Sequence, residues 1–585
     1  MNTESGEAPW LEHYGASVPR SLRYTDRTVY GEVAFAAKYF PKNIAYEFEG
    51  RKVTYREMMR EIDHAASCFS ELGVAKGDRV LICLPNCPQA IASFYGAMRL
   101  GAVSTMVHPL SAKAEIDFYL SNSKAKVAVT LDILYPNFPA IGEGNELSHI
   151  VVSSVKDGLS AHKAFLYHIV KGRKDPRPEY VGGVMSWKRF LSLSRDDSVP
   201  ECSVSVHDPA AILYSGGTTG RSKGVLLSSM NINAASTQTG LMSEDLCEGT
   251  TTLSVLPMFH GFGLCVGVHM FLTHGYTCIL IPRFTPESYA RLVVKKKPNY
   301  IAGVPTMYEY MINCSRYTRK ADLSHLKGIY CGGDTLTVEL KEKVDRFLEE
   351  HGCSARIREG YGATECVTAS CLTPKHAPKR GSIGLPFPDT LFKIARIGTT
   401  DRADPMEDGE ICICGPSVMM GYVDEPEETA QTLRVHGDGR TWLHTGDIGC
   451  MDGEGYIYFR QRIKRMIVSS GYNIYPSQIE NVIDAHPMVV RSCAVGVPDA
   501  IKGHIIKVFV VLREGVTMSA DEVIESLRAL CRDNIAKYAR PREFEFLKEL
   551  PYTKVGKIAY TELEKLASDM MEAVDNVMEP PRAAR

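Results

Sequence analysis

Residues 214–224 read YSGGTTGRSKG, and they stand between two short apolar runs. Four glycines, four Ser or Thr hydroxyls and two cations fill ten of the eleven positions. Glycine lets backbone N–H groups approach an anion closely, while hydroxyls and cations add donors and positive charge. The flanking runs PAAILY (209–214) and GVLLSS (224–229) are typical of strands. We therefore predict a phosphate-binding loop that joins two strands.

The spacing within this loop excludes the Walker P-loop. That motif needs lysine directly after glycine, with a helix beginning there. Here Arg221 follows Gly220, and Lys223 precedes Gly224. For this segment taken alone, an ordinary flexible surface loop remains the alternative, because Gly, Ser and Thr cluster in such loops.

The first half of the chain alternates helical and strand patterns. A Thr-x-x-Glu capping box at Thr54 and Glu57 opens a helical pattern to residue 72; 77–84 reads as a strand and 88–101 as a helix. Further strands are indicated by TTLSVLP, YTCILIP, PNYIAGVP and LKGIYCGG. Strands that alternate with helices favour an α/β fold with parallel layers.

The pattern changes twice in the second half. From about residue 387, short β runs such as GEICICGP and GYIYFR predict a small β subdomain. After RQRIKRMIVSSGYNIYP the pattern becomes a compact α+β unit, which we expect to open with a capping box at Ser477 and Glu480. We predict three segments: an N-terminal domain (1–463), a C-terminal domain (464–570) and a loose tail (571–585).

Composition fits a large enzyme and excludes some partners. The 585 residues are 44% hydrophobic and carry a net charge of −2, so we expect no attraction to nucleic acid. Seventeen cysteines form no C-x-x-C pair or zinc-type His/Cys spacing, and Cys412 and Cys414 read as core residues. With no signal peptide or transmembrane run, these features predict a cytoplasmic protein.

Three further motifs give the loop its context. These are YGATE (361–365), LHTGD (443–447) and PYTKVGKI (551–558). In their order and rough spacing, from about residue 28 to 568, the chain resembles the adenylate-forming superfamily. That superfamily includes acyl-CoA synthetases, firefly-type luciferases and peptide-synthetase adenylation domains. The resemblance implies an α/β fold: a large adenylation domain with parallel α/β layers and a small β subdomain, followed by a small mobile α+β domain.

The resemblance also implies an activity. A carboxylic acid would react with ATP to give acyl-AMP and pyrophosphate, and the thiol of coenzyme A would then displace AMP. ATP, Mg²⁺ and coenzyme A are the cofactors implied. Lys557 is expected to be the main catalytic residue of the first step, with His260 and Thr364 as further catalytic residues. An ordinary, partly buried histidine is the alternative for His260.

Nucleotide-binding roles follow from the same resemblance. Thr218, Thr219 and Lys223 would hold the β- and γ-phosphates. Tyr361 would lie against adenine, and Glu365, together with Thr218, would bind Mg²⁺. All predicted nucleotide- or coenzyme-binding positions are Ser215, Gly216, Gly217, Thr218, Thr219, Gly220, Lys223, Gly332, Gly333, Tyr361, Gly362, Thr364, Asp447, Arg462, Lys464 and Gly471.

Other implied roles concern ribose, the hinge and the acyl group. Asp447 would bind the ribose hydroxyls and Arg462 the ribose and phosphate region. Lys464 matches the hinge about which the C-terminal domain turns, and Gly471 would then face the pantetheine tunnel. The segment 302–304 would line an acyl tunnel. The chain departs from the family pattern at four positions, namely Gln461, Arg465, Asp334 and Tyr560.

The leader WLEHYGASVP (10–19) resembles that of bacterial long-chain fatty acyl-CoA ligases. We therefore expect a medium- or long-chain fatty acid as substrate. The alternatives are an aryl- or sterol-acid CoA ligase, an acyl-AMP ligase that loads a carrier protein, or an inactive nucleotide- or acyl-binding homologue. Segment 161–174 reads as an amphipathic surface helix, or else as a peripheral contact with the inner membrane face. The oligomeric state stays open, with a homodimer among the alternatives.

Overall fold

The structure is a computed structural model. It describes residues 8–578, except 143, 171–177, 196–197, 200, 216–221, 245, 284, 470–471, 475, 500–502, 536 and 554–557. Within these limits the chain forms two large sheets, one small sheet and a separate α+β unit.

Strands and helices alternate through the first 372 residues. The strands there are β1 (Ile44–Phe48), β2 (Arg51–Thr54), β3 (Arg79–Cys83), β4 (Val103–Met106), β5 (Val127–Leu131), β6 (His149–Ser153), β7 (Val184–Ser186), β8 (Pro209–Ser215), β9 (Lys223–Ser228), β10 (Thr251–Ser254), β11 (Thr277–Leu280), β12 (Tyr300–Gly303), β13 (Gly328–Cys331), β14 (Ile357–Gly362) and β15 (Ala369–Leu372). The helices are α1 (Val29–Tyr39), α2 (Tyr55–Glu71), α3 (Pro88–Arg99), α4 (Lys113–Ser123), α5 (Ala161–Val170), α6 (Trp187–Phe190), α7 (Ser229–Ser243), α8 (Met270–Thr273), α9 (Pro286–Lys296), α10 (Pro305–Asn313), α11 (Ser315–Thr318) and α12 (Val338–Glu350).

The remaining elements follow in chain order. The strands are β16 (Leu385–Pro386), β17 (Leu391–Ala395), β18 (Gly409–Cys414), β19 (Gly421–Tyr422), β20 (Leu433–Val435), β21 (Thr441–Met451), β22 (Ile457–Arg462), β23 (Ile467–Ser469), β24 (Tyr472–Ile474), β25 (Val489–Asp499), β26 (Gly503–Leu512) and β27 (Glu543–Phe546). The helices are α13 (Pro426–Thr432), α14 (Pro476–Asp484), α15 (Ala520–Asn534) and α16 (Tyr560–Met578).

The two large sheets are mostly parallel, as the alternating pattern predicts. One has the order β19-β9-β8-β4-β3-β5-β6-β7, and the other β16-β15-β14-β13-β12-β10-β11-β1-β2. Helix α2 packs against β1 and β2 of the second sheet and against α3, which in turn contacts β3 and β4 of the first. The two helices therefore lie between the sheets and join them through one hydrophobic core.

Local signals give the helix start at Thr54 correctly but fail at Ser477. Thr54 and Glu57 form the expected capping box at the start of α2. Helix α14 instead begins at Pro476, so Ser477 lies within its first turn and its hydroxyl donates to Arg460 O at 2.6 Å. Proline suits a first helical position because it has no N–H to leave unpaired.

The small β subdomain follows the two large sheets. Its sheet has the order β17-β18-β21-β20, and β22 pairs with residues 447–451 of β21 on the same edge as β20. Trp10, in a short 3-10 turn of the leader, is 1% exposed and belongs to the core of this subdomain. The leader is therefore part of the folded unit.

The C-terminal region packs helices on both faces of the sheet β25-β26-β27. Helix α16 extends to Met578 and occupies the first half of the predicted tail. Its apolar residues Leu563 and Ala567 are fully covered, which gives this helix a packed face. The proposed division of the chain at residue 464 remains a prediction.

Helix α5 covers the first part of segment 161–174. Phe165 is 66% and Leu166 58% exposed, while Lys163 contacts the backbone carbonyl of Glu49. Among the described residues, no helix is both long and apolar enough to span a bilayer.

Candidate active site

The predicted phosphate loop lies between two paired strands. Strands β8 and β9 run antiparallel and pair as far as Ser215 opposite Lys223. The strand–loop–strand arrangement is therefore confirmed at both ends of the loop. Outside the described residues lie Gly216, Gly217, Thr218, Thr219 and Gly220.

Lys223 is linked to the predicted magnesium ligand through Tyr422. The Lys223 ammonium pairs with Glu428 and lies 5.1 Å from the centre of the Tyr422 ring. The Tyr422 hydroxyl donates to Glu365 Oε1 at 2.8 Å. Burial and the Glu365 carboxylate raise the pKa of Tyr422, so its hydroxyl remains a donor. Tyr422 and Glu428 were missed by the sequence reasoning, because neither lies in a recognisable motif.

The YGATE motif forms the end of β14 and a short 3-10 turn over Thr364–Cys366. A Cβ atom on Gly362 would lie 1.8 Å from Thr368 O, so only glycine fits there. The turn leaves Thr364 and Glu365 half-buried. These two side chains are therefore positioned at the carboxyl end of a strand that belongs to a large sheet.

Tyr361, Asp447 and Arg462 form a second group. The Tyr361 hydroxyl donates to Asp447 Oδ2 at 2.7 Å, and Arg462 Nε lies 3.5 Å from Asp447 Oδ1. Asp447 and Arg462 are directly opposite in the β21–β22 pair, which explains their contact. Asp447 is 4% exposed, and its charge raises the pKa of Arg462. Three residues predicted separately for adenine, ribose and phosphate thus lie together.

His260 lies in the loop that leads into a π-helix, Phe262–His269. A Cβ atom on Gly261 would lie 1.6 Å from Val367 O, so this loop passes directly against the residue that follows the YGATE turn. π-Helical turns are rare in proteins, and those that do occur are often at functional sites. The structure therefore brings His260 close to the predicted nucleotide residues.

Gly332 and Gly333 follow β13, beside the predicted acyl-tunnel segment. Gly332 N donates to Gly303 O at 3.2 Å, which joins the ends of β13 and β12. Asp334 is the next residue, and it is near enough to Arg491 and Tyr552 of the C-terminal region to influence their pKa values.

The C-terminal region contacts helix α10, which follows the predicted acyl-tunnel segment. Arg491 Nη2 in β25 lies 3.3 Å from Glu309 Oε2 in α10. Although burial lowers it, the pKa of Arg491 is raised overall, first by Glu309 and then by Asp484. Tyr552 and Ile558 pair as an isolated antiparallel bridge.

Two other departures from the family pattern contact each other. The Arg465 guanidinium lies 5.1 Å from the centre of the Tyr560 ring and 2.5 Å from Glu480 Oε1. Gln461 is 1% exposed, opposite Ile448 in the sheet. Lys464 has its backbone in the turn Ile463–Arg465. Outside the described parts of the chain are the Lys464 side chain and the predicted positions Gly471 and Lys557.

Fold and site together define a class of protein, the adenylate-forming enzymes. The glycine-rich segment lies between two strands, and a second group of predicted nucleotide-binding residues lies at the end of a large sheet. The family models agree. Residues 33–423 match the AMP-binding enzyme family, and residues 478–557 match the AMP-binding enzyme C-terminal domain. The chain belongs to the AMP-binding enzyme family.

Individual relatives are similar over nearly their whole length. The chain is 34% identical to a long-chain-fatty-acid–CoA ligase of Bacillus subtilis (strain 168), over 94% of this chain and 97% of that protein. It is 30% identical to a feruloyl-CoA synthase of Amycolatopsis sp, over 90% and 97% of the two chains. The crystal structure of the anthranilate CoA ligase AuaEII with anthranoyl-AMP superposes with a TM-score of 0.81 at 22% identity, covering 94% of this chain and 99% of that one.

These similarities confirm the predicted family and fold class. They also confirm, at the level of the family, an AMP-forming acid–thiol ligase that uses ATP, Mg²⁺ and coenzyme A. The roles assigned to individual residues stay predictions, as does the identity of the acid.

Proposed function

We propose that this protein activates a medium- or long-chain fatty acid to its coenzyme A thioester. The carboxylate attacks the α-phosphorus of ATP and pyrophosphate leaves; the coenzyme A thiol then attacks the acyl-AMP carbonyl and AMP leaves. The proposal depends above all on one observation, the grouping of Tyr361, Asp447 and Arg462 close to the turn that carries Glu365.

Adenylation brings two anions together, so the site must supply positive charge where negative charge accumulates. Lys223 and Arg462 come from different sheets and supply two of these charges. We propose that Lys223 binds the terminal phosphates and Arg462 the ribose and α-phosphate region. Lys557 would bridge the substrate carboxylate and the α-phosphate, a role suited to a compact charge on a flexible stem.

The residues near Lys223 fit a magnesium ion. Mg²⁺ prefers carboxylate, phosphate and water oxygens, and its charge would offset the developing charge on pyrophosphate. Tyr422 holds one oxygen of the Glu365 carboxylate, which fixes the orientation of the group. Glu365 would therefore hold the ion, together with Thr218 as the sequence predicts.

The buried carboxylate of Asp447 suits ribose recognition. An ionised aspartate has two oxygens that accept hydrogen bonds, and Tyr361 binds one of them. Together with the Arg462 contact, this orients the carboxylate before the nucleotide arrives. Preorganisation of this kind reduces the entropy lost on binding.

The relatives favour a fatty acid. The Bacillus subtilis relative has the higher identity, and its name specifies a long-chain fatty acid. The feruloyl-CoA synthase, at 30% identity, keeps an aryl acid as the second candidate. Ala302 is 5% exposed at the end of β12, next to Gly303, and small side chains there would leave room for an acyl chain. We further propose a cytoplasmic location, because all 17 cysteines are free.

The test is product analysis with ATP, Mg²⁺ and coenzyme A against a series of short to long fatty acids, with aryl and sterol acids included. AMP, pyrophosphate and a long-chain acyl-CoA are expected. An aryl- or sterol-CoA would keep the mechanism and overturn the proposed substrate. Acyl-AMP without thioester would indicate a carrier-protein acceptor, and no turnover would favour an inactive homologue.

Separate assays of the two half-reactions test the residue roles. We expect Lys557→Ala to lose adenylation strongly and still convert supplied acyl-AMP and coenzyme A to thioester. Charge reversal at Lys464 should impair thioester formation more than adenylation. Equal loss of both half-reactions in Lys557→Ala would contradict a rotation of the C-terminal domain between two arrangements.

A further inference from the structure

Strand β21 pairs irregularly with β18 at the point where it carries Asp447. Between the pairs that Glu410 and Cys412 make with β21, β18 advances by two residues and β21 by four. Residues 445–447 therefore bulge away from β18, and Asp447 stands at one end of this bulge. Because β-bulges often redirect side chains next to active sites, the shape of the bulge decides how the Asp447 carboxylate is presented.

The Glu410 carboxylate holds the bulge at two points. Its Oε1 accepts a hydrogen bond from Gly446 N at 3.0 Å, and its Oε2 accepts one from His444 Nδ1 at 2.7 Å. Gly446 has a φ of +70°, a left-handed conformation that glycine adopts without strain. Although burial opposes ionisation, the hydrogen bond from His444 lowers the pKa of Glu410 overall. Both oxygens of this buried carboxylate are thus bound to residues that directly precede Asp447.

His444 is itself held from the other side. Its Nε2 lies 2.9 Å from His436 Nε2, and one proton between these two nitrogens makes a hydrogen bond. The His436 ring stacks on the Trp442 ring, with 5.5 Å between the ring centres. Both histidines are buried. The His444 ring is therefore fixed at both of its nitrogens, and it fixes the orientation of Glu410 in turn.

Thr445 holds the same bulge through separate hydrogen bonds. Its hydroxyl donates to Ile411 O in β18 at 2.7 Å and accepts from Asp447 N at 3.1 Å. The next group along is the Asp447 carboxylate, which accepts the Tyr361 hydroxyl at 2.7 Å. Two neighbouring residues of β18 thus hold the backbone from which the Asp447 side chain extends.

We propose that Glu410 is a positioning residue for ribose recognition, because it holds the bulge that presents Asp447. The inference rests on the ribose role proposed for Asp447 above. Glu410 acts through geometry, since its own oxygens are occupied by Gly446 N and His444 Nδ1. A carboxylate held in one orientation binds two neighbouring hydroxyls without first losing conformational freedom. Glu410 therefore strengthens the preference of the site for a nucleotide that carries both ribose hydroxyls.

Calorimetric titration of the full-length protein with the magnesium complexes of ATP and of 2′,3′-dideoxy-ATP tests this proposal. The second nucleotide lacks both hydroxyls, and neither titration depends on the identity of the acid. The wild type should bind ATP at least about tenfold more tightly than dideoxy-ATP, because hydrogen bonds to a carboxylate are strong. Glu410→Gln keeps the size of the side chain but offers one acceptor to two donors. It should weaken ATP binding about fivefold or more and change dideoxy-ATP binding less than about twofold.

A second variant and a control separate positioning from a general loss of structure. Thr445→Val removes the other support of the bulge and should also lower the preference for ATP over dideoxy-ATP, by about threefold or more. It keeps the test available if Glu410→Gln does not fold, which melting temperatures establish. Glu407→Gln, which breaks a partly exposed ion pair with Arg396 in the same subdomain, should keep the wild-type preference.

Two results would overturn the proposal, and they differ in what else they contradict. If Glu410→Gln and Thr445→Val fold and lose affinity equally for both nucleotides, Glu410 has no part in ribose recognition. In that case the ribose role of Asp447 stands. If the wild type binds the two nucleotides equally well, the ribose role of Asp447 fails together with the proposal.

Discussion

The ion pair between Arg491 and Glu309 should control the balance between the two half-reactions. It joins β25 of the C-terminal region to α10, at 3.3 Å. Burial raises the pKa of Tyr552, and the nearby carboxylates of Glu309 and Asp334 add smaller contributions in the same direction. We propose that the described arrangement, in which the C-terminal region contacts α10 next to the predicted acyl-tunnel segment, is the one that performs adenylation. We expect Glu309→Gln to destabilise this arrangement relative to the one that forms the thioester.

The size of the effect follows from the exposure of the pair. The side chains of Arg491 and Glu309 are 14% and 30% exposed. Exposed ion pairs contribute about 0.2–1 kcal/mol, and breaking a buried pair costs about 3–5 kcal/mol. For this half-buried pair we expect about 1–2 kcal/mol, which is about a 5- to 30-fold change in an equilibrium between two arrangements.

The ratio of the two half-reaction rates measures this equilibrium. Adenylation is followed by pyrophosphate release without coenzyme A, and thioester formation is followed from supplied acyl-AMP. Since each rate is proportional to the population of its own arrangement, the ratio of adenylation to thioester formation should fall about 5- to 30-fold in Glu309→Gln and in Arg491→Gln.

A double-mutant cycle separates the ion pair from other effects of each change. The double variant should lower the ratio no further than the stronger single variant, because the two changes remove the same interaction. Glu525→Gln, which breaks an exposed pair with Arg528 in α15, should leave the ratio unchanged. An unchanged ratio in both folded single variants would refute the reasoning, and a raised ratio would assign the described arrangement to thioester formation.

Three further predictions concern stability, nucleotide affinity and lipid contact. Burial raises the pKa of Glu359 from its usual 4.5 to about 7, so between these pH values the folded state holds a proton that the unfolded chain loses, and the free energy of unfolding falls as pH rises. Because the residue is only half-buried, Glu359→Gln should raise the free energy of unfolding in urea by about 1–2 kcal/mol at pH 8 and change it little at pH 4. Glu428→Gln should strengthen ATP binding several-fold in calorimetry, because Lys223 loses its internal partner; unchanged affinity would count against phosphate binding by Lys223. If α5 touches lipid through its exposed residues Phe165 and Leu166, replacing both by Asp should reduce the fraction of the protein that sediments with anionic vesicles. Equal sedimentation of the variant and the wild type would identify α5 as an ordinary surface helix.

Local sequence predicts most elements here because their causes are local. The alternating patterns gave the parallel layers, and the hydroxyl of Thr54 marked the start of α2. The prediction at Ser477 was wrong because its hydroxyl binds Arg460 O, a contact made only after the chain folds.

Residues of the candidate site were predictable from the sequence where they belong to a recognisable motif. The motifs supplied Tyr361 and Asp447, but only the pairing of β21 with β22 explains how Arg462 reaches the same carboxylate. Tyr422 was not predictable, because the pairing of β19 with β9 that places it beside Lys223 leaves no mark in the sequence. The contact of Arg465 with Tyr560 was not predictable either, because these residues are far apart in the chain and meet only in the folded protein.

The pairing of Lys223 with Glu428 also bears on which anions the proposed phosphate site accepts. A lysine without a counter-ion would attract inorganic phosphate, sulfate and free nucleoside monophosphates alike. With Glu428 as a built-in competitor, contact with Lys223 alone is a weak source of affinity for any anion. A nucleoside polyphosphate could displace the carboxylate because it would also contact the proposed partners at Glu365 and Arg462, which a small anion cannot reach at the same time. The carboxylate would thus favour a polyphosphate over the smaller anions present in a cell.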